Sequence, residues 1–343
     1  MTPRRIIGVE KNYDWGDENS IRESLGVPPT SGTKIAELWW GTHPQGPAHL
    51  DSPDGPLMSD VTGNMTMLVK LLACSTPLSL QTHPTIEQAR EGFAREEAAG
   101  IDRDAPHRMY RDDSDKPEML VALSTFEALC GFMPTNDAVD LLRSLSWSRE
   151  ADFLESNGTR SYMAWAFEQS DTPDMTRVPS WLSRIASLYP ADKALRVAPL
   201  LNHVVLEKGE ALALPAGNLH AYLRGFGLEV MKSSDNVIRA GFTSKHIDVA
   251  ELLHIVDCTP LTQPKAHLDP NASAEVFTSP SVAFSVGRFD KTKQDMDHHR
   301  IVFGIRRDEK PHGTSNELPA AYLLVAGDTD AVDFDDAWVC TQH

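Results

Sequence analysis

The chain has 343 residues, 41% hydrophobic and 24% charged, which is long enough for two or three domains with substantial cores. Its 32 Lys and Arg residues against 49 Asp and Glu residues give a formal net charge of -17. Because nucleic acids and anionic membranes are bound through basic surface, this balance excludes a general binder of either. An anionic small substrate is compatible with the charge only where Lys and Arg gather locally.

The four cysteines, Cys74, Cys130, Cys258 and Cys340, lie far apart and form no C-x-x-C pair. Three of them lie in apolar or strand-like surroundings, which predicts buried free thiols and argues against a disulfide framework or a zinc knuckle. The N-terminus has no long apolar core behind it, and no apolar run reaches the length of a membrane span. We therefore expect a cytoplasmic protein that binds neither membranes nor nucleic acid.

The first segment whose side chains could bind a ligand or take part in catalysis follows the apolar stretch 67–73. The pattern predicts two strands joined by a bend at 75–77. In an extended segment alternate side chains share a face, so Ser79, Gln81 and His83 should point the same way. An amide oxygen and an imidazole nitrogen are half the ligand set of an open metal site. The alternative is a β-sandwich strand whose outer face is polar.

The next part of the chain alternates between helix and strand signals. Segment 86–100 has helical spacing, with Thr85 as the N-cap and a glycine past the end. Segment 102–115 is charged and polar, which predicts a solvated loop. Strand signals then cover 116–123 and 126–132.

Between residues 136 and 199 apolar side chains repeat at helical spacing, which predicts an all-helical insertion between two β portions. Strand signals return from residue 202, and a tight turn at 215–218 separates two of the strands. Three short strand-like segments separated by polar loops follow residue 258: 282–286, 300–305 and 320–327. Their spacing is typical of a small antiparallel sandwich or barrel.

Further side chains suited to chemistry lie on distant segments. Glu118 follows a Lys-Pro pair, where the proline imposes extended backbone, and His220 follows the tight turn. Arg239 lies in a polar run, and His43 precedes a proline, where it is a ligand or a structural turn residue. Two imidazoles, a carboxylate and an amide oxygen would hold a divalent cation with room for substrate. Spacing alone does not assemble them, so a surface carboxylate, a loop His and a salt-bridge Arg remain the alternatives.

Taken together, the ordered motifs resemble those of the type I phosphomannose isomerases, zinc-dependent enzymes of the cupin superfamily. The segments that carry the resemblance are Tyr13-Asp14-Trp15-Gly16, Ala36-Glu37-Leu38-Trp39, Pro77 to Pro84, Lys116-Pro117-Glu118-Met119, Phe126 to Phe132, Pro215 to Tyr222 and Glu229 to Lys245. They cover most of the chain in the same order as in the family. Such an ordered set is far more specific than any one motif.

The resemblance implies a mainly β fold with a helical insertion. A cupin-type jelly-roll β-barrel catalytic domain is expected at 1–134 and 200–258, an all-helical domain at 135–199, and a second, smaller jelly-roll-like domain at 259–343. It implies the interconversion of mannose 6-phosphate and fructose 6-phosphate through an enediol, with one Zn²⁺ per chain. That activity would feed mannose metabolism and the supply of GDP-mannose. A monomer is expected.

The resemblance also implies roles for individual residues. Family zinc ligands fall on Gln81, His83, Glu118 and His220, catalytic positions on Arg239, Lys116 and Asp235, and substrate-binding positions on Ser79 and Lys70. Proton transfer between C1 and C2 needs a base, an acid and positive charge to stabilise an enediolate. The base stays open: Lys116 could serve if zinc and Arg239 depress its pKa, while Asp235 could instead open the sugar ring or orient Arg239. Lys70, Lys116 and Arg239 would form the local cluster of positive charge around a phosphate.

One position departs from the family pattern. The family usually has His before Lys-Pro-Glu, and here that residue is Asp115. The departure leaves open two alternatives: an isomerase of another phosphorylated sugar, and a catalytically inactive cupin that binds sugar phosphates. The intact metal-ligand set and Arg239 argue against the inactive protein, because it would have no chemical need for them.

Overall fold

The computed structural model describes residues 3–28, 30–269, 275–278, 283–290, 297–306, 319–326 and 333–343. The strands are β1 (Arg4–Ile7), β2 (Val9–Lys11), β3 (Glu37–Trp40), β4 (His49–Leu50), β5 (Met67–Cys74), β6 (Leu80–Thr82), β7 (Glu118–Ala122), β8 (Phe126–Phe132), β9 (Leu201–Leu206), β10 (Ala211–Leu214), β11 (His220–Lys232), β12 (Ile238–Gly241), β13 (Val276–Phe277), β14 (Phe284–Arg288), β15 (Arg300–Arg306), β16 (Ala320–Leu324) and β17 (Phe334–Gln342). The helices are α1 (Ser20–Ser24), α2 (Ser59–Thr62), α3 (Ile86–Ala98), α4 (Thr135–Ser144), α5 (Ser148–Glu168), α6 (Ser180–Leu188) and α7 (Val249–Ile255), with short 3₁₀ turns at Lys193–Leu195 and Ala198–Leu200. Within these ranges none of the helices combines the length and apolarity needed to cross a membrane.

The strands form two antiparallel sheets. One sheet has the order β13-β14-β17-β15-β16-β1-β4, so β1 pairs with the C-terminal strand β16 and β4 joins the sheet through β1. The other follows the path β10-β7-β11-β5-β3-β2, and β6, β8, β9 and β12 join it through β11 and β8. The prediction of a mainly β fold with helices is confirmed.

Strand β11 connects the parts of the second sheet that carry the candidate ligands. Its first half pairs with β6 and β8, and its second half pairs with β5 and β7. The register shifts between Tyr222 and Arg224, and Gly225 has a φ of +134°. A Cβ at Gly225 would lie 2.6 Å from a ring carbon of Phe126, so only glycine fits this close approach. The strand therefore curls here and brings its two halves toward one site.

Helices α4, α5 and α6 lie between β8 and β9 in the chain and bury their apolar faces against the second sheet. Their core side chains pack with Ile238 and Ala240 of β12. Burial of each large apolar side chain contributes about 1.5–3 kcal/mol to the free energy of folding, so packing against the helices stabilises the position of β12. At Gly241 a Cβ would lie 2.3 Å from the Cβ of Ala194, which shows how closely β12 approaches the 3₁₀ turn.

Several local predictions are confirmed. Thr85 caps α3 and forms a capping box with Gln88. All four cysteines are free thiols, and three of them are buried. The prediction of a solvated loop at 102–115 is wrong in part, because Arg108 and Tyr110 are buried. Part of the predicted segment 282–286 and of 320–327 lies outside the described residues.

Candidate metal centre and cleft

The candidate ligands come together because three neighbouring strands align them. His220 at the start of β11 lies directly opposite Gln81 of β6, and Gln81 lies opposite Arg239 of β12. Side chains of directly opposite residues share a face of the sheet. His220, Gln81 and Arg239 therefore form a row across three strands. His83 follows the end of β6 by one residue.

Glu118 enters the same site from the other half of β11. It begins β7 and pairs there with Met231, eleven positions along the strand from His220. A strand rises roughly 3.3 Å per residue, so a straight β11 would keep these positions far apart. Because β11 curls, the Glu118 carboxylate instead lies 3.4 Å from His220 Nε2 and 3.3 Å from His83 Nε2.

The three side chains His83, Glu118 and His220 are buried, and one ligand atom from each lies within 4.8 Å of the others. Each imidazole Nδ1 lies against a backbone carbonyl, that of Asn236 at 2.7 Å and that of Asn218 at 3.0 Å. A carbonyl only accepts hydrogen bonds, so Nδ1 carries the proton in both rings and Nε2 carries a lone pair.

Both Nε2 atoms are buried and have no hydrogen-bond partner among the described residues. Two lone pairs and a carboxylate that converge in a buried space are costly unless a cation joins them. Nitrogen and oxygen donors in this number suit a divalent cation of the zinc type. The chemistry of these residues therefore fits a bound metal.

The electrostatics of the centre favour the ligand forms of these side chains. Burial, together with the nearby Lys116 ammonium, lowers the pKa of His83 to about 4. Burial would raise the pKa of Glu118, but Lys116 and His83 outweigh it and hold this pKa well below its ordinary value. At neutral pH the imidazole of His83 is therefore neutral and Glu118 is ionised, as metal ligation requires.

Two further predicted residues contact the ligands directly. Lys116 Nζ lies 3.0 Å from Glu118 Oε1, and its side chain is buried. The Ser79 hydroxyl donates a hydrogen bond to Gln81 Oε1 at 3.0 Å. Lys116 thus lies beside the metal site, and Ser79 orients the amide of Gln81.

Lys70 lies on the neighbouring strand β5 in a buried ionic network. Its ammonium is 3.1 Å from Glu229 and 3.6 Å from Glu37. Tyr222 donates to Glu229 at 2.9 Å, and Trp39 donates to Glu37 at 2.7 Å. Burial would lower the pKa of Lys70, but the two carboxylates raise it above its ordinary value. Its charge is therefore shared by Glu37 and Glu229, and its predicted contact with substrate stays a prediction.

A cavity of about 340 Å³ lies next to this centre and is strongly basic. Its lining includes Arg108, Arg111, Asp235, Val237, Arg239 and Lys245. Within the described part of the chain Arg239 and Lys245 form no ion pair. Burial, then repulsion from neighbouring guanidinium groups, lowers the pKa of Arg239 and of Lys245. Arg108 is paired with Glu96 and Glu97, and Arg111 lies 3.8 Å from Asp104. Arg239 and Lys245 are therefore the two lining cations that favour an anionic ligand.

Sequence reasoning missed Arg111 and Lys245 as parts of this cluster. Arg111 lies in the segment that looked like a solvated loop, and Lys245 lies beyond the polar run that carries Arg239. The net charge of -17 implies that an anionic substrate needs a local cluster of Lys and Arg residues, but it does not identify which of them lie together in the fold.

Asp115, the residue that departs from the family pattern, is bound by the Lys232 ammonium. The backbone N–H of Lys232 also donates to the Pro117 carbonyl at 3.1 Å. This ion pair connects the end of β11 to the segment that carries Lys116 and Glu118. It also compensates the carboxylate charge that the substitution introduces.

The fold and the site define a class of protein: an antiparallel β protein whose buried His, Glu and His side chains form a metal centre beside a cavity for a small anion. The family model for the phosphomannose isomerase type I catalytic domain matches residues 4–135. Mannose-6-phosphate isomerase of Escherichia coli K12 is 34% identical, covering 73% of this chain and 73% of that protein. The enzyme of that name from Salmonella typhimurium is 32% identical, covering 81% and 78%.

Solved structures give the same result. A crystal structure of mannose 6-phosphate isomerase bound with zinc and yttrium superposes with a TM-score of 0.86 at 27% identity, covering 100% of both chains. The apo form from Salmonella typhimurium superposes with a TM-score of 0.84 at 27% identity, covering 100% of this chain and 99% of that one. The chain belongs to the type I phosphomannose isomerase family.

Proposed function

We propose that the protein is a zinc-dependent isomerase that interconverts mannose 6-phosphate and fructose 6-phosphate. Family membership supports this function. The observation that carries it is the pair of orphaned Nε2 atoms of His83 and His220, which face one carboxylate beside a basic cavity.

Gln81, His83, Glu118 and His220 would hold the zinc ion. Gln81 supports this set because it lies opposite His220 in the sheet, and Ser79 fixes its amide oxygen. Bound zinc supplies Lewis-acid stabilisation of the negative charge that develops on the sugar oxygens. The neutral Nε2 atoms and the ionised Glu118 make the site ready for the ion without a change of protonation at neutral pH.

We assign proton transfer between C1 and C2 to Lys116, because its side-chain nitrogen lies 3.0 Å from a proposed metal-ligand oxygen. The neutral amine would take the proton from one carbon, and the ammonium so formed would return it to the other. Arg239 stabilises the developing oxyanion from the neighbouring strand, as a preorganised cation in a partly buried site. Asp235 lines the same cavity as Arg239 and accepts protons from sugar hydroxyls. These three residues are the catalytic set of the proposal.

The substrate phosphate is assigned to the basic cavity. Arg239 lies two strands from His220, and adjacent strands are roughly 4.8 Å apart, so these two backbone positions are about 10 Å from each other. The sugar would lie between them, with its carbonyl end toward the metal and within reach of the Arg239 and Asp235 side chains, and with its phosphate toward the outer cations of the cavity. Arg111 and Lys245 add positive charge around the phosphate. Lys70 would contact the substrate by a hydrogen bond to a sugar hydroxyl and would not bind the phosphate.

A coupled assay tests the function directly. Metal-loaded protein is expected to produce fructose 6-phosphate from mannose 6-phosphate, and a chelator is expected to abolish turnover until Zn²⁺ is restored. Glucose 6-phosphate, the C2 epimer, serves as the control substrate. Metal-loaded protein that leaves mannose 6-phosphate unchanged would contradict the proposal.

Replacement of Lys245 by Ala is expected to raise the KM for mannose 6-phosphate about five- to tenfold with little change in kcat. Lys245 lines the cavity but stays largely open to solvent, so its contact with phosphate is worth only about 1 kcal/mol. The Ki of inorganic phosphate as a competitive inhibitor should rise by the same factor. Lys208→Ala, at an exposed lysine far from the cavity, is the matched control, and an equal rise in KM there would argue against a local phosphate contact.

The finer architecture is also a proposal. We assign a cupin-type jelly-roll to the site-bearing sheet at 1–134 and 200–258, with the helical domain at 135–199 and a second β domain at 259–343. The curl of β11 and the insertion of α4–α6 between β8 and β9 support this layout. Strands β1 and β4 are the exception, since they pair within the sheet of C-terminal strands. A monomeric state stays a prediction.

A further inference from the structure

His43 has no role in the proposed reaction, yet it is buried at the edge of the cleft. It lies in the loop after β3, and its ring packs edge-on against Trp39 with centroids 5.1 Å apart. The Gln45 backbone N–H donates to His43 Nδ1 at 3.2 Å. Because this nitrogen accepts a hydrogen bond, the proton of the neutral ring lies on Nε2.

The protonated Nε2 of His43 lies 3.5 Å from Asp235 Oδ2. The Gln45 side-chain amide donates to the same oxygen at 2.9 Å. The same carboxylate oxygen therefore accepts a hydrogen bond from Gln45 and has the N–H of His43 beside it. Within the described part of the chain Oδ1 of Asp235 has no hydrogen-bond partner, and the residue lines the basic cavity with Arg239.

The backbone around Asp235 is held by other contacts. The Asp235 N–H donates to Asp112 at 2.9 Å, and the next carbonyl, that of Asn236, accepts from the ligand His83. His43 and Gln45 therefore act on the orientation of the carboxylate and leave the position of the loop to these bonds.

We propose that His43 and Gln45 are positioning residues that hold Asp235 with Oδ1 turned toward the substrate. The proposal rests on the proposed function, in which Asp235 handles sugar protons. In the opening of the sugar ring, Oδ1 takes the proton from the C1 hydroxyl while the C1–O5 bond breaks and C1=O forms. The same proton is returned to O5, so the carboxylate ends the step unchanged.

The charges around His43 favour the neutral donor. Burial lowers its pKa most strongly, Asp235 opposes this next, and with the smaller effects of Lys70, Asp112 and Lys11 included the pKa stays below its ordinary value. The imidazole therefore stays neutral near pH 7 and does not cancel the charge of the carboxylate that it orients.

Two amide variants separate positioning from structure. His43→Gln can place its NH2 donor near the Nε2 position, whereas the shorter His43→Asn reaches only the Nδ1 position and leaves no donor near Asp235. We expect His43→Asn to lower kcat on the order of tenfold or more with KM changed less than about twofold, and His43→Gln to recover most of kcat. Zinc content and the Ki of inorganic phosphate should match the wild type in both. Equal kcat values in the two variants would overturn the proposal, as would zinc loss in His43→Asn.

A double-mutant cycle then shows whether His43 acts through Asp235. In an Asp235→Asn background the His43→Asn substitution is expected to change kcat by less than about twofold, because the group it orients is gone. Multiplicative losses in the double variant would show that His43 acts independently and would overturn the inference. Wild-type turnover of mannose 6-phosphate is measured beside each variant, so failure of the proposed function itself is seen separately.

Discussion

Replacement of His220 by Ala is expected to remove zinc and activity together. The substitution deletes one of two buried Nε2 donors and leaves a larger space beside Glu118. Loss of a residue that merely supports a ligand typically costs 10- to 100-fold in metal affinity, so loss of the ligand itself should cost at least roughly 100-fold. Purified protein should therefore contain little zinc and show less than about 1% of wild-type turnover.

Elemental analysis and the coupled assay check this result on the same sample. His254→Ala, at an exposed histidine near the end of α7, is the matched control and should retain both zinc and turnover. If the substitution weakens zinc affinity and leaves the other catalytic residues in place, Zn²⁺ added in large excess should restore part of the activity of His220→Ala. A variant with an unchanged zinc content would remove His220 from the ligand set.

Part of the candidate site follows from local sequence because a strand has a fixed period. Alternation along 79–83 predicted that Gln81 and His83 share a face. Gln81 lies in β6 (Leu80–Thr82), and His83 follows the end of that strand by one residue. The Lys-Pro-Glu segment likewise predicted the extended start of β7 at Glu118. These features depend on neighbours in the chain, which the sequence contains directly.

Local sequence patterns do not predict which strands from distant parts of the chain pair with each other. Arg239 lay in a run with little strand character, yet it belongs to β12 because β6 pairs with it and the helices pack behind it. The curl of β11 at Gly225 brings His220 close to Glu118. No repeating pattern in the sequence predicts this curl. Lys70 was expected at the phosphate, but two carboxylates from β3 and β11 surround its ammonium.

Replacement of Arg239 by Ala is expected to leave zinc in place and lower kcat by roughly 100- to 1000-fold. Arg239 lies opposite Gln81, a proposed ligand, and a guanidinium does not ligate a metal ion because it carries no lone pair to donate. Removal of one preorganised donor to a developing oxyanion typically has an effect of this size. The kcat of Arg239→Lys should lie between those of the wild type and Arg239→Ala, because lysine keeps the positive charge but lacks the planar set of guanidinium donors.

Stability gives an independent readout for the same variant. Burial, then Arg111, lowers the pKa of Arg239, which means that its charge is unfavourable in the folded protein. Removing it should therefore leave the melting temperature unchanged or slightly higher, as expected where a residue is retained for function at a cost in stability. Arg90→Ala, at an exposed arginine of α3, is the control and should affect neither kcat nor zinc. Zinc loss or a clear drop in melting temperature in Arg239→Ala would instead make Arg239 a structural residue.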